Sequence, residues 1–122
     1  MDGFVINLED ETRKNENFRQ VLFTASHSQL VLMSLKPGED IGTETHEVDQ
    51  FIRIEDGRGK FIINSKEYEV TDGWAAVIPA GSEHNLINMG EEMMKLYTVY
   101  SPAEHANRTV HKTKGDALAE EE

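Results

Sequence analysis

Residues 38–57 read GEDIGTETHEVDQFIRIEDG, and residues 73–88 read GWAAVIPAGSEHNLIN. In the first stretch, two glycines enclose a carboxylate, an imidazole and an amide at fixed intervals: Gly38, Glu44, His46, Gln50 and Gly57. Residues two apart on a β-strand point to the same side. Glu44 and His46 are therefore expected to face one interior, and Gln50 to enter it from the next strand.

The second stretch contains a turn and the start of a further strand, with defined positions at Gly73, Pro79, Gly81, His84 and Asn88. In a closed sheet, His84 can converge with the side chains of the first stretch. Two imidazoles, one carboxylate and one amide oxygen form a mixed donor set that suits divalent iron, manganese, nickel, cobalt or zinc. We interpret Glu44, His46, Gln50 and His84 as candidate ligands of one divalent metal ion.

Short apolar runs surround these stretches and recur about every ten residues, with Gly, Pro or Asp in most gaps, which predicts an all-β sandwich or barrel. The predicted strands are 21–23, 30–33, 51–54, 61–63, 68–70, 74–78, 85–87 and 95–100. Residues 4–6 are a possible short strand, 10–17 a loop or short helix, and 114–122 a terminal helix. The predicted organisation is an N-terminal extension or strand (1–17), a barrel (18–102) and a polar C-terminal tail (103–122).

The two spaced motifs resemble those of the cupin superfamily, which are Gly-x5-His-x-His-x3-4-Glu-x6-Gly and Gly-x5-Pro-x-Gly-x2-His-x3-Asn. The second motif matches at every defined position, and the first matches in all its spacings. The resemblance implies a double-stranded β-helix, or jelly-roll barrel, of the small single-domain type similar to mannose-6-phosphate isomerase. It also implies that His46 and His84 bind metal.

This sequence departs from the cupin pattern at two ligand positions. Glu44 stands where the pattern has its first histidine, and Gln50 stands where it has glutamate. One carboxylate is lost and one is gained, so the four ligands keep one negative charge in total. The plainer interpretations are core histidines for His46 and His84, a surface carboxylate for Glu44, and for Gln50 an amide that orients a water or ligand.

Composition narrows the class of partner. The 122 residues include 12 basic and 23 acidic ones, for a formal net charge of −11. Such a surface repels phosphate backbones and anionic lipids, so we expect neither nucleic acid nor membrane partners. The chain has no cysteine, which excludes disulfides and thiolate catalysis and fits a reducing compartment. No signal peptide is recognisable, so the expected location is the cytoplasm.

Three further histidines are candidates for substrate binding. His105 and His111 lie in the polar segment after Pro102. They are either solvated or carried back over the mouth of the barrel to meet a substrate. His27 stands beside Ser26, ahead of an apolar strand, and is a weaker pocket candidate.

The leading functional hypothesis is a metal-dependent enzyme of isomerase, lyase or dioxygenase type, acting on a small polar molecule such as a sugar or organic acid. No cluster of Arg or Lys beside the motifs indicates a sugar phosphate. The alternatives are a non-catalytic module that binds or senses a small ligand, and a purely structural dimerising barrel. A homodimer is expected from the family resemblance, with the apolar region 18–33 as the candidate face.

Overall fold

The computed structural model describes residues 1–121, which form nine strands and two helices. The strands form from short runs of branched and aromatic residues, as their β-propensity favours. Their bounds are β1 Arg19–Thr24, β2 Gln29–Leu35, β3 Asp49–Asp56, β4 Arg58–Ile63, β5 Lys66–Thr71, β6 Ala75–Ile78, β7 His84–Asn88, β8 Met94–Ser101 and β9 Val110–His111. The helices are α1 Leu8–Lys14 and α2 Lys114–Glu121.

The strands form two antiparallel sheets. The larger has the order β6-β3-β8-β2-β1-β9, and the smaller has the order β5-β4-β7. One cluster of buried side chains joins the sheets, because it contains Ile54 and Leu96 from the larger sheet and Phe61 and Leu86 from the smaller one. This arrangement confirms the predicted all-β jelly-roll barrel.

The segment that leads into β3 extends the smaller sheet. Its backbone runs antiparallel along β7, with isolated bridges between Asp40 and Ile87 and between Glu44 and His84. From 43 to 49, odd-numbered residues are exposed and even-numbered ones are at least half-buried. This period of two matches strand geometry and turns Glu44, His46 and Gln50 toward the interior.

The N-terminal segment differs from the prediction. Residues 4–6 form no strand; Val5 is almost fully exposed, and the Phe4 ring stacks on Phe23 at 5.1 Å between centroids. Strand β9 pairs with the Arg19–Gln20 end of β1, and residues 4–6 meet β1 through this ring contact without strand pairing. The helix α1 begins at Leu8, with the side chain of Asn7 accepting a hydrogen bond from the backbone N–H of Asp10.

The C-terminal segment packs back on the barrel. Strand β9 pairs with β1 through Arg19 opposite His111 and Gln20 opposite Val110. The predicted terminal helix is present as α2, and Ala117 is buried against the barrel core; Glu122 lies outside the described residues. Neither helix in the described chain has the length and apolar character needed to cross a bilayer.

Candidate metal centre

Glu44, His46 and His84 bring their donor atoms to one point inside the barrel. Each offers one nitrogen or oxygen, and these three atoms all lie within 4.8 Å of one another. The backbone creates this meeting, because Glu44 and His84 exchange N–H···O=C bonds of 2.9 Å in both directions. The backbone carbonyl of His46 accepts a 2.8 Å bond from the Gly81 N–H of the Pro79–Gly81 turn.

The His84 ring is held with one nitrogen free. Its Nδ1 lies 3.0 Å from the backbone carbonyl oxygen of Ser82. A carbonyl only accepts, so Nδ1 carries the proton and Nε2 keeps its lone pair. Nε2 is buried and has no hydrogen-bond partner within residues 1–121. A buried imidazole nitrogen of this kind is the form in which histidine binds a metal.

The His46 ring has the same character. Its Nδ1 lies 3.4 Å from Oε1 of Glu104, which favours the proton on that nitrogen. Its Nε2 lies 2.7 Å from Oε2 of Glu44. The two atoms nevertheless lack the alignment of a hydrogen bond, and Nε2 counts among the buried atoms without a partner in the described chain.

Gln50 supplies a third candidate ligand atom that has no hydrogen-bond partner in residues 1–121, its amide oxygen. Its amide Nε2 donates a 3.0 Å hydrogen bond to the Thr98 hydroxyl, whereas Oε1 is buried with no partner among the described residues. Gln50 lies opposite Tyr100 in the β3–β8 register, and directly opposed side chains share a face. The Tyr100 ring meets the His46 ring edge-on at 5.7 Å, so Gln50 faces the same interior.

The donor set fits a divalent transition metal. Leaving a buried polar atom without a hydrogen-bond partner costs about 1–3 kcal/mol. In this site two imidazole nitrogens and one amide oxygen lack such a partner in the described part of the chain. A cation placed among Glu44, His46 and His84 would satisfy both imidazole nitrogens together with the Glu44 carboxylate, and Gln50 faces the same interior. Nitrogen and oxygen donors without thiolate suit iron, manganese, nickel, cobalt or zinc.

The electrostatics of the pair are set by their proximity. Burial acts to raise the pKa of Glu44, but contact with His46 and the nearby charge of Arg19 outweigh it, and the net shift is downward. Contact with the Glu44 carboxylate raises the pKa of His46 against the opposite effect of burial. Glu44 is therefore an anionic donor at neutral pH.

A cavity of about 460 Å³ opens onto Glu44 and His46. Its walls combine the apolar side chains of Phe18, just before β1, and of α2 with polar ones from the loop after β8. The residues that line it are Phe18, Arg19, Ile41, Gly42, Thr43, Glu44, Thr45, His46, Glu104, His105, Lys114, Ala117 and Leu118. Its volume lies in the range of small-molecule sites.

The three other candidate histidines lie in different places. His105 lines the cavity, and its Nε2 is 3.3 Å from the Tyr100 hydroxyl oxygen. Burial lowers the pKa of His105 to about 4, so its ring is neutral at neutral pH. His111 is buried behind the cavity wall, in contact with Arg19. His27 is exposed in the turn between β1 and β2 and does not line the cavity.

Sequence reasoning missed four residues around this site, Arg19, Gln29, Tyr100 and Glu104, whereas His105 was among its candidates. Glu104 and His105 are fixed by Gln29, whose Oε1 accepts from both of their backbone N–H groups and whose Nε2 donates to the His105 carbonyl. Tyr100 lies between His46 and His105. Arg19 and the apolar Val21 lie on the same, inward face of β1. A charge at an inward position of this strand was the one signal available in the sequence.

The fold and the site together define the class of this protein. It is a small antiparallel jelly-roll barrel with a candidate metal centre of imidazole and oxygen ligands in its interior. Residues 31–100 match the Cupin_2 family, a cupin domain. This chain therefore belongs to the cupin superfamily, as the motif spacing predicted.

Three similar proteins match most of this chain. BH2720 from Bacillus halodurans has a crystal structure with a TM-score of 0.95 and 46% identity, covering 97% of this chain and 95% of that one. YrkC of Bacillus subtilis strain 168 is 48% identical over 126 residues, which are 98% of this chain and 68% of YrkC. L612 of Acanthamoeba polyphaga mimivirus is 47% identical over 107 residues, covering 84% of this chain and 67% of L612.

Proposed function

We propose that this cupin is a metal-dependent enzyme of isomerase, lyase or dioxygenase type that acts on a small polar molecule such as a sugar or organic acid. One divalent ion would be held by Glu44, His46, Gln50 and His84. The observation that carries the proposal is the group of buried, unpartnered donors on His46, His84 and Gln50 beside the Glu44 carboxylate.

When bound, a divalent ion supplies Lewis-acid polarisation of a substrate oxygen. The chain's own groups support that chemistry from three sides. Glu104 and the Ser82 carbonyl orient the two imidazoles through their Nδ1 atoms. His105, neutral and next to the Tyr100 hydroxyl, offers hydrogen-bonding groups to a molecule in the cavity.

The metal content of the protein tests the proposal directly. Protein purified without a His-tag is expected to carry about one equivalent of a divalent transition metal, or to take one up on titration, because the donors match that class. Elemental analysis measures the content. Less than about a tenth of an equivalent, with no uptake of Fe(II), Mn(II), Ni(II), Co(II) or Zn(II), contradicts the enzyme proposal.

That negative outcome would favour the alternative, a non-catalytic module that binds or senses a small ligand. One observation keeps this alternative in view. Glu44 and His46 have oppositely shifted pKa values that make them complementary charged partners without any ion. The cavity beside them is open to a small molecule in either case.

We further propose a homodimer, but through a different face from region 18–33. In that region Phe18, Val31 and Met33 are buried within the single chain. A group of exposed apolar side chains lies around β5 and β6, where Trp74 is 54% and Val77 72% exposed and both line one groove. A cytoplasmic location is part of the proposal, since a chain without cysteine fits a reducing compartment.

Light scattering after size exclusion tests the dimer. The wild type is expected at twice the 13.8 kDa chain mass. Val77→Lys is expected to run as a monomer, because a charge in an apolar interface must be desolvated. Val110→Lys, at an exposed position on β9, is the control and is expected to stay dimeric. A monomeric wild type at high protein concentration contradicts the proposal.

A further inference from the structure

Arg19 is a buried charge whose hydrogen bonds are incomplete. It lines the cavity from β1, and only 4% of the residue is exposed. Its Nη1 lies 3.1 Å from Nδ1 of His111. Its Nε is buried and has no partner anywhere in residues 1–121. Burying a charged group is costly unless its polar atoms are hydrogen-bonded, so the Nε–H of this guanidinium lacks an acceptor in the described chain.

The C-terminal segment holds Arg19 in place. A guanidinium has only donors, so His111 must accept on Nδ1 and carry its proton on Nε2. That Nε2 faces the carboxylate of Glu120 on α2. The chain Glu120, His111, Arg19 thus fixes one side of the guanidinium and leaves its Nε edge without a protein hydrogen bond.

The charges that line the cavity leave Arg19 uncompensated once a divalent ion is present. Lys114 is already paired with Asp40. Glu44 and Glu104 together carry two negative charges, which the two positive charges of the ion would balance. The cavity is then positive by the one charge of Arg19.

We propose that this cavity binds a small monocarboxylate, such as a hydroxy acid, whose carboxylate is held by Arg19. The inference rests on the proposed function, because its charge balance includes the divalent ion. It narrows the proposed substrate class from sugars and organic acids to organic acids alone. The free Nε edge of a guanidinium matches a carboxylate with two parallel N–H···O bonds.

Other ligand classes fit the same walls less well. A phosphate monoester brings between about 1.5 and 2 negative charges, against one free cation and the carboxylates of Glu44 and Glu104. A neutral sugar can accept one hydrogen bond from the Nε–H through a hydroxyl oxygen but brings no negative charge to the guanidinium. A monocarboxylate neutralises it with no charge left over.

Lactate and lactamide are the matched probes, since they share a shape and differ in the negative charge. In wild-type protein loaded with zinc, lactate is expected to bind more tightly than lactamide and to shift the Nε–H signal of Arg19 in a ¹H–¹⁵N spectrum. Arg19→Met identifies that signal by its loss. The Arg19→Met substitution is expected to weaken lactate binding about 10- to 100-fold, the range for a charge-assisted hydrogen bond. It is also expected to remove the preference for lactate over lactamide.

Two further variants make the result specific. Arg19→Lys keeps the positive charge but lacks the two parallel N–H groups of the guanidinium edge. It is expected to lose less affinity for lactate than Arg19→Met. Arg58→Met, at an exposed arginine that lines no part of the cavity, is expected to bind lactate as the wild type does. Equal binding of lactate and lactamide by the wild type, tighter binding of inorganic phosphate than of lactate, or a preference retained in Arg19→Met overturns the inference.

Zinc content is measured separately on every sample, which distinguishes the two proposals. If no zinc is taken up, the proposed metal-dependent function fails, and the same titration is carried out on metal-free protein. A shift of the Arg19 signal with lactate there still supports the carboxylate site. No shift in either form overturns it.

Discussion

Replacing both His46 and His84 by alanine is expected to remove the metal while the barrel still folds. The double variant loses both imidazole donors and keeps only the carboxylate of Glu44 and the amide oxygen of Gln50. Two oxygen donors bind a divalent transition metal far more weakly than a mixed set of four. Elemental analysis is expected to give less than about a tenth of the metal content of the wild type.

The fold is expected to survive because the two rings are not part of the apolar core. That core consists of side chains such as Ile54, Leu86 and Leu96, which the variant leaves in place. His84→Ala opens a small cavity, but it also removes a buried nitrogen that has no partner in the described chain, and these effects oppose each other. Circular dichroism and the melting curve of the metal-free form check this.

His27→Ala is the matched control, since it removes an exposed imidazole from the β1–β2 turn and is expected to leave the metal content unchanged. Stoichiometric metal retained by the His46→Ala, His84→Ala protein would refute the ligand assignment. Loss of metal in the His27→Ala control would show that the loss is not specific to the proposed centre.

Local periodicity made the central part of the site predictable. Glu44 and His46 are two residues apart, and the structure preserves that period of two through Gln50, with the residues between them exposed. The motif spacing also placed His84 at the start of β7, directly opposite Glu44. The period of two and the position of His84 at the start of a strand depend on local geometry, which a single sequence contains, whereas the bridge between Glu44 and His84 joins residues far apart in the chain.

The outer part of the site depends on contacts between distant residues, which periodicity does not encode. His111 meets Arg19 across 92 positions, and Gln29 holds the backbone of His105 across 76. The sequence predicted a terminal helix and left open whether the polar C-terminal segment folds back over the barrel, but nothing in it indicated the pairing of β9 with β1. That pairing covers the Arg19–Gln20 end of β1, whereas residues 4–6 contact β1 through the Phe4 ring and form no strand.

Gly59 on β4 is expected to resist replacement by any residue with a side chain. A Cβ at this position would lie 2.5 Å from the Met94 Cε and 2.7 Å from the Ile87 carbonyl oxygen. Met94 is fully buried, and Ile87 belongs to β7, which pairs with β4. The methyl group of Met94 can turn aside, but the carbonyl oxygen cannot move without disturbing the sheet. Gly59 is thus required by close packing of the backbone, not by a left-handed conformation.

Gly59→Ala is accordingly expected to lower the free energy of unfolding by about 1–3 kcal/mol, the usual cost of overpacking a core. Urea denaturation followed by circular dichroism measures it. Gly90→Ala is the control, since a Cβ there would have no contact closer than 3.4 Å, to Asn88 Oδ1, and its effect is expected to stay within about 0.5 kcal/mol. Equal stability of the Gly59→Ala variant and the wild type would mean that β4 and β7 separate more easily than their close approach indicates.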